Sequence, residues 1–106
     1  MLWLRYYFDE DDTQTYYEVG EDGYARRQVD LQGTEQRPVT AATLEEVLHA
    51  HDDGGFDAAL AYESTYGVLA EGELDGWRDV DQVVEISSAE FEDAWKPARR
   101  ALDQSQ

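Results

Sequence analysis

Twenty-five Asp or Glu face only 8 Lys or Arg in these 106 residues, a formal net charge of −17, and that imbalance limits how the chain can fold. Most carboxylates have no cation to pair with and must lie outside, so the interior has to come from uncharged side chains. The chain supplies them, with 3 Trp, 7 Tyr and 3 Phe. A disordered acidic tail lacks this aromatic content, so a packed core is expected. The length suits a single domain, residues 1–106, and not two. The same field repels nucleic acid and anionic membrane and draws cationic partners. Direct nucleic-acid binding is therefore not expected.

With no Cys, the chain has neither a disulfide framework nor thiolate chemistry. The opening Met1-Leu2-Trp3-Leu4-Arg5-Tyr6-Tyr7-Phe8 is short for a signal-peptide core and runs straight into Asp9-Glu10-Asp11-Asp12. No other apolar run approaches membrane-spanning length. A soluble, cytoplasmic protein is expected.

The acidity also has a plain explanation. Lys96 is the single lysine, and Asp (13) slightly outnumbers Glu (12), a balance that suits proteins kept in concentrated salt, where screening removes self-repulsion. On that reading the charge is only a solvated surface.

Leu2, Leu4, Tyr6 and Phe8 alternate with Trp3, Arg5 and Tyr7, the pattern of a half-buried strand. Asp9–Asp12 reads as a turn, Gln14–Val19 as a second strand, Gly20-Glu21-Asp22-Gly23 as a hairpin connection and Tyr24–Leu31 as a third strand. Arg37-Pro38 reads as a break leading to a helix. Thr43-Leu44-Glu45-Glu46 fits a capping box, with Leu44, Val47 and Leu48 on one face and Asp52-Asp53-Gly54-Gly55 as the stop. Residues 56–70 suggest a helical turn and then a strand near Tyr66–Leu69. Val83–Ile86 is a short strand. Ser87–Glu90 is a second capping box before an apolar stripe of Phe91, Ala94, Trp95, Ala98 and Leu102, with Pro97 ending or kinking the helix near Trp95–Lys96. The expected fold is α+β: an antiparallel sheet, made of an N-terminal three-stranded meander plus one or two later strands, packed against two helices.

No catalytic constellation is legible. His49 and His51 are two apart and do not share a helix face, so no metal site is assigned. A calcium loop starting at Asp9 would need Gly and Glu where Gln14 and Gly20 stand. No Ser lies in a nucleophile elbow, and the glycines do not form a phosphate-cradling loop. With so many acids, chance carboxylate pairs are certain and carry no information. Neither an enzyme nor a cofactor is expected.

Aromatics interleaved with acids stand above this background. Tyr6, Tyr7 and Phe8 run into Asp9, Glu10, Asp11 and Asp12; Tyr16 and Tyr17 precede Glu18; Asp75, Trp77, Asp79 and Asp81 alternate near the C-terminal third. Tyr and Trp give rigid contact area, and carboxylates pair with Arg or Lys across an interface. The core must bury some of these aromatics; Trp77, beside Gly76 in an acidic segment, is the hardest to assign there. Asp9, Glu10, Asp11, Asp12, Asp75, Trp77, Asp79 and Asp81, with Tyr7 and Tyr16, are the expected partner-binding residues.

The segment from Tyr16-Tyr17-Glu18-Val19 to Arg26-Arg27-Gln28-Val29, with its Gly-bearing turn, and Ile86-Ser87-Ser88-Ala89-Glu90-Phe91-Glu92-Asp93-Ala94-Trp95 resemble a family of small acidic bacterial proteins of uncharacterised function. The middle, Leu48 to Asp81, lies outside that resemblance. It implies a standalone α+β protein of the immunity-protein type, and carries over no catalytic residue. The expectation is therefore a cytoplasmic inhibitor of a basic protein, most readily a nuclease toxin whose phosphate-attracting active site it occludes. One alternative is a DNA mimic that displaces duplex from a DNA-binding protein; another is a small acidic domain whose charge is only surface. The oligomeric state is left open.

Overall fold

The computed structural model describes residues 1–74 and 76–104. Strands β1 (Leu2–Phe8), β2 (Thr13–Val19), β3 (Ala25–Gln32), β4 (Arg37–Thr43) and β5 (Val83–Ile86) form one antiparallel sheet in the order β4-β3-β2-β1-β5. Helix α1 spans Leu44–Tyr66 and α2 spans Ser88–Gln104. The α+β fold and its N-terminal meander are those expected from the sequence.

Both faces of the sheet are covered, and strand alternation sorts the side chains between them. Leu4, Tyr17, Val19, Ala25 and Ala42 lie on one face beneath Leu69, with Leu44, Val47, Tyr62 and Trp77 packed around them. Tyr16, Val29, Leu31 and Ala41 lie on the other, against Phe91 and Ala98 of α2, with Trp3, Trp95 and Leu102 alongside. Neighbouring Tyr16 and Tyr17 are thus both buried, each in a different core.

Strand β4 corrects the expectation that Arg37-Pro38 leads directly into a helix. Pro38 is tolerated because β4 is an edge strand, where a missing N–H need not interrupt the sheet. Its small residues Ala41 and Ala42 are fully buried, one on each face, and let the flanking layers approach closely. Arg99 covers this edge further by donating to the Ala41 carbonyl (3.1 Å).

Thr43 caps α1 as expected, its hydroxyl accepting from the Glu46 N–H (3.0 Å). The reciprocal half is different. The Tyr62 hydroxyl accepts from the Thr43 N–H (3.0 Å) and donates to the Glu46 carboxylate (2.6 Å). In a straight helix residues 43 and 62 would lie roughly 28 Å apart at 1.5 Å per residue. Gly55, at φ 67° and ψ −151°, breaks α1 into two arms and turns the second back on the first. The glycines that read as a stop are therefore a hinge within α1.

The second arm runs to Tyr66, so the strand expected at Tyr66–Leu69 is absent. Instead residues 67–74 cross the sheet as an extended strap. Ala70 N–H donates to the Gln28 side chain (2.8 Å), Leu74 N–H donates to the Gly23 carbonyl (2.8 Å), and Tyr24 bridges to Glu73. Ser87 caps α2 by accepting from the Glu90 N–H (3.1 Å). Helix α2 then continues through Pro97 to Gln104, so of the end or kink expected near Trp95–Lys96 the end does not occur. Pro97 itself is exposed at the edge of the helix–sheet contact, beside Tyr16, Leu31 and Pro38, and burial of Phe91 and Ala98 on α2 outweighs one lost backbone bond.

Candidate functional site

The two acidic segments meet. The backbone N–H of Tyr7, near the end of β1, donates to the carbonyl of Gln82, just before β5 (3.2 Å). Antiparallel pairing of β1 with β5, from Trp3 opposite Ile86 to Tyr6 opposite Val83, holds the two chains in register up to that point. The β1–β2 turn thus lies beside residues 80–82, and together they enclose a groove of about 340 Å³. Asp9, Glu10, Asp11 and Asp81 provide its carboxylates; Tyr7, Phe8 and Val80 provide its apolar surface. Neither Lys nor Arg lines it.

Local chemistry fixes the turn. Asp12 N–H donates to the Asp9 carbonyl (3.3 Å), and Asp12 takes a left-handed φ of 46°, which Asp tolerates better than most residues. The Asp12 carboxylate points out of the groove and accepts from the Tyr7 hydroxyl (3.1 Å). That hydrogen bond, with the Asp12 charge, raises the Tyr7 phenol above its ordinary 10.0. Tyr7 is 38% and Phe8 45% exposed, so the carboxylates sit beside uncovered aromatic surface.

The other expected contact residues divide. Asp79 is exposed in the short 3-10 helix Trp77–Asp79 that leads into the groove, two residues before Asp81. Trp77, expected outside the core, is half-buried against the Leu4–Tyr17 cluster, and the Arg78 guanidinium lies 5.1 Å from its ring centroid. Tyr16 is a correction. It is 8% exposed beneath α2, with its hydroxyl donating to the Gln14 side chain (3.1 Å), and offers a partner no surface. Asp75 lies outside the described residues. Phe8, named in the aromatic run, and Val80 were not among the expected contact residues; Phe8 is the last alternating residue of β1 and is exposed.

Most cations work elsewhere. Arg27 binds Glu18 (2.8 Å) and Glu92 (2.7 Å) while its guanidinium stacks on Phe91 and Trp95. These bonds hold the Glu18 and Glu92 carboxyls below the usual 4.5. Arg99 binds Glu46 (2.8 Å) and lies 3.8 Å from the Tyr66 ring centroid; Arg5 binds Glu90 (3.2 Å). A cavity of about 980 Å³ is lined by Arg26, Arg27 and Arg99 with Glu18 and Glu46, and within it Arg27 and Arg99 are already paired with carboxylates. His49 pairs with Asp53 (2.8 Å) on the exposed side of α1, and no group of three metal-ligating side chains occurs among the described residues. No helix among them is long and apolar enough to cross a membrane.

No protein-family model, curated protein or solved structure matches this chain.

Proposed function

We propose that this chain is a cytoplasmic acidic inhibitor of a basic protein, of the immunity or antitoxin type, and that its target is a nuclease toxin. The observation that carries the proposal is the groove. Asp9–Asp11 and Asp81, far apart in sequence, converge around Tyr7, Phe8 and Val80, with neither Lys nor Arg in the lining. A nuclease active site is built to attract phosphates and stack bases. The groove offers both counterparts: carboxylates in place of phosphates, and exposed aromatic rings in place of bases. Inhibition is by occlusion. The excess negative charge steers the encounter, so association is fast and weakens as salt screens it. The resemblance of the β2–β3 hairpin and the Ile86–Trp95 segment to a family of small acidic bacterial proteins of uncharacterised function, which implies an immunity-type protein, is in keeping with this reading.

A DNA mimic is the second reading, favoured by the exposed carboxylates of Asp9, Glu10, Asp11 and Asp81 gathered around the groove. It requires that duplex DNA compete for the partner whatever its sequence.

The test is affinity capture from native lysate at about 0.15 M and 1 M salt, Debye lengths of about 8 and 3 Å. One basic nuclease recovered stoichiometrically, and weakened at high salt, supports the inhibitor. A basic DNA-binding protein released by duplex supports the mimic. A smear of abundant basic proteins that disappears with salt makes the acidity a surface property and overturns both.

A further inference from the structure

A second, smaller pocket lies away from the acidic groove, where the first arm of α1 meets the strap. Leu44, Val47 and Leu69 form its apolar floor, and Asp22, Glu63 and Glu71 stand on its rim; its volume is about 190 Å³. Its walls are held in place: Leu74 and Tyr24 fasten the strap to the β2–β3 turn, and Thr43 caps the helix that supplies Leu44 and Val47. At that size it falls below the roughly 300 Å³ at which cavities take whole small molecules, and suits one side chain.

Charge defines which one. Residues 38–77 contain neither Lys nor Arg. The Glu63 and Glu71 carboxylates make no hydrogen bond or ion pair with a described residue; Asp22 accepts only the Tyr24 N–H (3.1 Å). An aliphatic floor under three carboxylates matches an aliphatic stem with a cationic head, and long basic side chains bury stems in this way. Three separate acceptors around one opening fit the three N–H donors of an ammonium better than the planar fork of a guanidinium. We infer that this pocket receives a lysine side chain of the basic partner, as a second anchor beside the acidic groove. The inference rests on the partner being basic, as proposed above.

The test is a titration of the ¹⁵N,¹³C-labelled protein with Nα-acetyl-lysinamide, with the norleucine analogue as the isosteric stem lacking the ammonium. The lysine analogue is expected to shift the Val47 and Leu69 methyl signals, and the norleucine analogue to bind at least about threefold more weakly. The E63Q/E71Q double variant, which changes one half-buried and one exposed position and removes no hydrogen bond or ion pair to a described residue, should lose that preference while D9N/E10Q/D11N/D81N keeps it. Equal binding of both analogues, or no shift at Val47 and Leu69, overturns the inference. The two proposals fail separately: lysine binding without any captured basic protein removes the inhibitor and leaves the pocket, and a captured partner with a silent pocket does the reverse.

Discussion

The Tyr7 N–H donates to the Gln82 carbonyl (3.2 Å), and this bond sets the β1–β2 turn beside the approach to β5. Four carboxylates, Asp9, Glu10, Asp11 and Asp81, are thereby gathered around one groove without a lining cation. Such an arrangement opposes folding, because like charges held together repel.

Neutralising them should therefore stabilise the protein. The D9N/E10Q/D11N/D81N variant is expected to melt higher than the wild type at low ionic strength. The gain should vanish near 1 M salt, where the Debye length is about 3 Å. Thermal unfolding followed by circular dichroism at the two salt concentrations reads this directly. A variant that melts lower in dilute buffer would show that these side chains support the turn instead of straining it.

Arg27 should be the most costly cation to remove. Its partner Glu18 has a side chain only 13% exposed, and Arg27→Met leaves that carboxylate without its guanidinium. The expected loss is about 2–3 kcal/mol; a fully buried pair would cost more. The pH dependence has a definite sign. Arg27 lowers the Glu18 and Glu92 carboxyls, so this stability is complete above their unfolded value near 4.5 and fades as pH falls through the lower folded values. The gap between wild type and variant in urea denaturation should narrow on acidification below 4.5. A constant gap would mean that Arg27 acts only by packing on Phe91 and Trp95.

Gly67 ends α1 at φ 85°, with its N–H donating to the Glu63 carbonyl (2.8 Å). A Cβ there would lie 2.9 Å from the Thr40 Cα, against the backbone of β4. Gly67→Ala should cost about 3 kcal/mol, from left-handed strain and overpacking together. An unchanged urea midpoint would contradict the close seating of the strap.

Tyr17 gives an alkaline signature. Burial in the core, reinforced by the Asp30 charge and by Tyr6, pushes its phenol up from 10.0 to about 12. A group whose folded value is raised contributes stability that is complete below pH 10 and is lost as pH rises toward 12. Absorbance titration should show a step near pH 12, and Tyr17→Phe should remove that step and flatten stability between those limits.

Much of the fold was legible. Alternation in β1, the acidic turn and the glycines after Val19 specify the first three strands, and Thr43 and Ser87 mark where helices start. What escaped reading depends on long-range packing. Ala41 and Ala42 have little strand preference, and β4 forms because layers bury them from both sides. Pro97 stays inside α2 because its stripe is anchored by Phe91 and Ala98. Gly54-Gly55 signals a break, but only the Tyr62 bond to Thr43 shows that the chain turns back. The acidic segments were each visible, yet their meeting depends on β5 pairing with β1 across most of the sequence. Local alternation likewise cannot say that both sheet faces are covered, which is why Tyr16, read as a contact residue, lies in the core.

The most direct test of the groove is the association rate of the captured partner with wild type and with D9N/E10Q/D11N/D81N, followed by stopped-flow Trp fluorescence across a salt series. Steering through the groove predicts a fall of about tenfold or more at low salt, and a flattened salt dependence, in the variant. Equal rates with equal salt slopes would contradict the assignment of this groove as the partner-binding site.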